Sequence, residues 1–327
     1  MSLTNFPNGV SSFGVPLMGG GIPSTFGKVF FVDYRNGVDT NSGTSADHAF
    51  KTLSFAYSKC SSNRNDVILI DGDSTVVEAD GIAWTKNRVH VIGLCGPGGR
   101  LVQQGAKIQS TAGVGTAYVL KNTGVRNSFV NLKFIQADTE ATSLHVLEEG
   151  GEGNLYANCS FVFGVVDNLD LTTATEVLMG GDSCSFVDCM FGSDTLLTSA
   201  ARKVMTIDQV TSGQECKSNI FRDCTWLISS SSVDALCIGM AAAGDILFTN
   251  HFIRPTFMAS LDSAGGVQCS KAVATANGTT KGTIYISYPM VHGFADIGVN
   301  GTNNDNLYVF SHVVSAADIT SAQPTTT

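Results

Sequence analysis

The chain runs to 327 residues, of which 43% are hydrophobic and only 14% charged, against about 25% charged in a typical globular protein. A formal net charge of -9 with no basic stripe argues against nucleic acid as a partner, since phosphate binding needs clustered Lys and Arg. No run approaches the ~18 to 20 apolar residues of a transmembrane helix, so no membrane partner is expected.

The opening residues, MSLTNFPNGV, have neither the basic nor the apolar region of a secretory signal, so synthesis and assembly in a cytoplasm are expected. Residues 1–27 hold three of the seven Pro and show no periodicity, and cannot form a domain alone. Phe6, Val10, Phe13, Val15, Leu17, Met18 and Ile22 nonetheless make this stretch too apolar for a free linker. It reads as an extended arm that docks on its own body, a neighbouring subunit or another surface.

Residues 28–62 read as a first strand and a short capping helix. Ser45 is placed as an N-cap with Asp47 in the first turn, and Ala49, Phe50, Leu53, Ala56 and Tyr57 share one helical face. Such a cap covers a β edge that would otherwise recruit other chains. Beyond it, DVILIDGD (66–73) and VHVIGL (89–94) read as strands, running up to a turn at GPGGR (96–100).

A repeat dominates residues 63–301. The phrases FVNLKF (129), YANCSF (156), FVDCMF (186), FRDCTW (221) and FIRPTF (252), with a weaker YISYPM (285), follow at spacings of 27, 30, 35, 31 and 33 residues. A period of this size marks a solenoid or a propeller. No copy holds an amphipathic helical pair, and the uneven spacing suits coils of short parallel strands with loops of differing length. Aromatics at positions one and six cannot face one way along a straight strand. The third position, Asn131, Asn158, Asp188 or Asp223, resolves this, because Asn and Asp tolerate a left-handed bend that resets the alternation.

Stacked coils then build three inward columns. One runs Phe129, Tyr156, Phe186, Phe221, Phe252, Tyr285. A second runs Phe134, Phe161, Phe191, Trp226, Phe257, Met290, and between them lie Leu132, Cys159, Cys189, Cys224, Pro255 and Tyr288. Cysteine there serves as a small, buried, unreactive hydrophobe. Residues 302–327 contain one strand-like run, NLYVFSHVV, which reads as a closing strand before a tail.

These phrases, with the NGVDTNSGTSADHAFKTL segment at 36–53, resemble the right-handed parallel β-helices of the pectate-lyase-like type. The resemblance implies an all-β, single-stranded solenoid with an N-terminal helical plug. Together with the arm, it is most similar to structural proteins of tailed-phage virions, in particular head decoration (cement) proteins. It implies a homotrimer on the capsid exterior, bound to the phage major capsid protein by its arm and base. The alternative is a tailspike- or fibre-like β-helix that binds or depolymerises a polysaccharide.

A catalytic set is not legible. Asp188 and Asp223 lie one coil apart, but Asn131 and Asn158 share their column and the bend accounts for all four. The LEEGGEGN stretch (147–154) gathers Glu148, Glu149 and Glu152 and reads as a solvated acidic loop, with cation binding as the alternative. The six His share no close spacing, and no metal, P-loop or serine-hydrolase motif occurs. No cofactor or metal is expected, and the chain is not expected to be an enzyme.

Overall fold

The computed structural model describes residues 27–72, 75–94, 105–164, 171–197, 201–211, 216–240, 249–260, 266–274, 283–298 and 307–310, together with 11–12 and 15–16. Three parallel sheets of ten, eight and seven strands wind round one core. Along the body of the solenoid each coil contributes one strand to each sheet, so rungs join one coil to the next; at the N-terminal end Val29–Val32 pairs directly with the following strand, Asp66–Asp71. The fold is a right-handed single-stranded parallel β-helix. Parallel pairing buries the core face of all three sheets at once, which is why inward positions are almost uniformly apolar.

Coil geometry follows from a few backbone positions. Asn131, Asn158, Asp188, Asp223, Arg254 and Tyr288 all adopt φ between 50° and 57°. Each such residue ends a strand of the ten-stranded sheet and starts the next strand in the eight-stranded one. Inside, Phe129, Tyr156, Phe186, Phe221 and Phe252 stack with centroids 4.6–5.0 Å apart. Phe134, Phe161, Phe191, Trp226 and Phe257 form the second column at 4.9–5.5 Å. Ring edges of one column meet faces of the other, as for Tyr156 and Phe161 at 5.8 Å. Leu132, Cys159, Cys189 and Cys224 are buried between them. The thiols of Cys159, Cys189 and Cys224 donate to the carbonyls of Phe129, Tyr156 and Phe186, one coil below.

The last coil departs from the expected register by one residue. Phe252 pairs with Ile286, and Phe257 with Val291. Tyr288 is therefore the bend residue, while Tyr285 faces outward against His251 and Tyr308, and Met290 is exposed.

The cap also differs from the expected single helix. Ala46–His48 form one 3₁₀ turn whose Ser45 makes no side-chain cap bond, and the α-helix, α1, spans Leu53–Lys59. Phe50 instead bridges to Val32 as an extended residue. The break has a cause in Asp39, whose carboxylate accepts from Lys51 N (2.8 Å), Thr52 N (3.0 Å) and Thr52 Oγ1 (3.0 Å). Thr52 is then the working N-cap, accepting from Phe55 N. Leu53, Ala56 and Tyr57 of α1 still close the first coil, and Tyr57 stacks on Trp84 at 4.0 Å.

Of the arm, Val15 lies in a two-residue strand, Val15–Pro16, paired antiparallel with Ser11–Ser12. Phe6, Val10, Phe13, Leu17, Met18 and Ile22 lie outside the described residues.

Candidate functional site

Three groups of ionisable residues could carry chemistry. The first is the bend column on the outside of the solenoid. Asn158 Nδ2 donates to Asn131 Oδ1 at 2.8 Å. Asp223 accepts both a 2.7 Å bond from Arg254 Nε and a 2.6 Å bond from Arg254 Nη2. The Asp188–Asp223 pair is thus followed by a cation in the next coil, and Asp223 is held as a charge-compensated, bidentate partner.

The second group corrects the reading of a solvated acidic loop. Glu148 and Glu149 belong to the strand His145–Glu149 of the seven-stranded sheet. Glu149 occupies the rung between Asn122 and Met179 and points into the core, fully buried. Its carboxylate accepts from Gly151 N (2.7 Å), Asn154 Nδ2 (3.0 Å), Asn122 Nδ2 (2.9 Å) and the Tyr156 hydroxyl. Burial pushes its pKa up to about 7, and the four donors oppose that rise. Glu152 is exposed and takes part in two isolated bridges outside the strands, with Val125 and Asp182. The three glutamates therefore do not converge.

The third group lies on the outer face of the seven-stranded sheet. One row there reads Lys121, Glu148, Leu178, Thr206, one residue per coil in register. Beside it stand Tyr118, His145 and Thr175, also in register. Lys121 Nζ lies 2.8 Å from Glu148 Oε2, and His145 Nε2 lies 4.0 Å from Glu148 Oε1. A pocket of about 400 Å³ opens next to them, lined by His145, Thr172, Thr175, Lys203, Thr206 and Asp208 among others. Desolvation pulls the His145 imidazole below its ordinary value, with Glu148 opposing the shift. The lowered value favours the neutral ring at pH 7, and its Nδ1 is buried.

An imidazole beside a carboxylate can take a proton from a bound hydroxyl or water, and the lysines and threonines can hold the hydroxyl groups of a ligand. Among the described residues no group of three or more His, Cys, Asp and Glu could hold a metal ion. A somewhat larger pocket, about 490 Å³, sits at the N-terminal end between Lys28 and Lys59. Its described lining has no carboxylate or imidazole. Sequence reasoning missed the cleft because its residues belong to three coils. The available signal was the coil period itself, which sets Lys121 and Glu148 27 residues apart.

No family model and no curated protein matches the chain. Solved structures do. A pectin methylesterase from Aspergillus niger superimposes with a TM-score of 0.58 at 10% identity, over 91% of this chain and 89% of its own. A rhamnogalacturonan lyase gives 0.56 at 12% identity, over 86% and 73%, and pectate lyase Pel9A 0.54 at 14%, over 86% and 74%. These likenesses define the class of fold, a pectate-lyase-like parallel β-helix. They also correct the expectation that the chain is not an enzyme, because these structural neighbours are all enzymes.

Proposed function

We propose that this β-helix binds an extended polysaccharide and acts on it at the outer face of its seven-stranded sheet. The observation that carries the reading is the cleft beside His145 and Glu148, where an imidazole, a carboxylate, two lysines and threonine hydroxyls meet. Rungs repeated about 4.8 Å apart suit a ligand that is itself a chain. The neighbours named for pectin and rhamnogalacturonan chemistry add support at the level of fold. Release of new reducing ends or of acyl groups from a panel of purified polysaccharides tests the reading. Turnover of one polysaccharide, lost in both His145→Ala and Glu148→Gln, is expected. Turnover unaffected by either substitution would overturn it.

A second reading, a homotrimeric head decoration protein bridging phage capsomers through its arm and base, has one observation in its favour. The outer face of the ten-stranded sheet presents Ile92, Val130, Ala157, Val187 and Ile253 in consecutive coils, half-buried and interrupted by one charge at Arg222. An apolar flat face of that kind favours self-association. Native mass by light scattering tests it, with three chains expected and a monomer counting against it.

A further inference from the structure

The outer face of the eight-stranded sheet carries two lysines in consecutive rungs. Lys107 and Lys133 are register partners in the strands Lys107–Ser110 and Lys133–Gln136. Side chains at paired positions of adjacent parallel strands start about 4.8 Å apart, so the two ammonium groups can reach one small volume. The residue before them in the column is Thr75 and the one after is Ser160. The adjacent outward column holds Val77, Gln109, Ile135 and Val162.

No carboxylate stands in either column, and neither lysine has a salt-bridge partner among the described residues. Both side chains are half-buried, so water screens their repulsion only in part. Burial first, and then the charge of Lys107, pulls the Lys133 ammonium below its ordinary value. An anion held between the two ammonium groups would offset their mutual repulsion.

We propose that Lys107 and Lys133 form an oxyanion-binding site, taking a carboxylate, sulfate or phosphate group, with Thr75 and Ser160 as flanking hydroxyls. Two ammonium groups one rung apart can each donate to a different oxygen of one such group, in charge-assisted bonds. The site is on a different sheet from the His145 cleft and stands independently of the function proposed there. The anion has two sources, a free inorganic ion or an acidic group borne on a glycan.

The test follows the lysine Cε resonances of selectively ¹³C-labelled protein during titration with sodium sulfate and with inorganic phosphate, at ionic strength held constant with chloride. A saturable shift of two lysine resonances is expected, assigned by their loss in Lys107→Met and Lys133→Met. In either variant the remaining lysine should bind about tenfold more weakly or worse, as expected for the loss of one charge-assisted bond. Repeating the titration with a sulfated and a uronate-containing oligosaccharide separates the sources. Tighter binding than the free ion assigns the site to a glycan, and equal binding assigns it to the inorganic anion. Shifts that track ionic strength alone, or that survive unchanged in both variants, would overturn the proposal. Because Thr75, Ser160 and Ile135 already surround these positions, methionine keeps the packing, and thermal unfolding of each variant checks that it folds.

Discussion

Replacing Glu149 with Gln should change how the stability of this protein depends on pH. The carboxyl is fully buried between Asn122, Asn154, Tyr156 and the Gly151 amide, with a pKa raised by burial from 4.5 to about 7. Below about 4.5 it is protonated in both folded and unfolded chains, and its contribution is complete. Between about 4.5 and 7 the unfolded chain ionises while the folded one does not, so stability falls as pH rises, and the loss levels off above 7. A difference of this size corresponds to about 3 kcal/mol.

Other buried acids titrate too, with Glu78 and Glu176 raised and Asp66 and Asp138 lowered, so the total profile mixes several slopes. The difference between wild type and Glu149→Gln isolates the one group. Urea unfolding at intervals from pH 4 to pH 9 should show a wild-type decline of about 3 kcal/mol that the variant lacks. At acidic pH the variant should be the weaker of the two by about 1–3 kcal/mol, because an amide NH₂ then faces groups that donate. Parallel profiles for the two proteins would refute the assignment of a buried, titrating Glu149.

Two further substitutions test the architecture. Phe186→Ala removes a fully buried ring stacked between Tyr156 and Phe221 at 4.7 and 4.8 Å, and should cost about 3–5 kcal/mol in urea unfolding; a loss below about 1 kcal/mol would mean the column is not closely packed. Asn219→Ala should cost about 2 kcal/mol or more, because Asn219 Oδ1 accepts from the buried Cys184 amide while Nδ2 donates to Gly181 O and Asn250 Oδ1. Amide exchange at Cys184 that stays as slow as in wild type would contradict that role.

The sequence made the solenoid legible because aromatic identity and an Asn or Asp bend survive from Phe129 to Trp226, and each marks an inward or a turning position. The signal failed where those identities stopped being specific. In the last coil Tyr285 joins an outward stack with His251 and Tyr308, so an aromatic no longer marks the inside. There the bend falls on Tyr288, which gives no hint of φ 55°.

A second left-handed column, Arg88, Arg126, Gly153, Ser183 and Ser218, went unread because nothing chemical unites those residues. The buried amides Asn127, Asn154, Asn219 and Asn250, each two residues ahead of a core aromatic, were in the repeat but outside the aligned phrase. Their side-chain oxygens accept from the backbone of the preceding coil, as where Asn127 N donates to Asn154 Oδ1 at 2.8 Å. At Glu149 local composition misled. A glycine-rich acidic run reads as solvent-exposed, whereas register with Asn122 and Met179 decides that the side chain points inward. The His145 cleft is a property of three stacked coils, and no single stretch of sequence contains it.

The most direct test of the central claim is affinity electrophoresis in gels cast with individual polysaccharides, comparing wild type with His145→Ala and Lys203→Met. At least one polysaccharide should retard the wild type, and both substitutions in the cleft should restore mobility. Equal retardation of all three proteins, or of none with any polysaccharide tested, would contradict it.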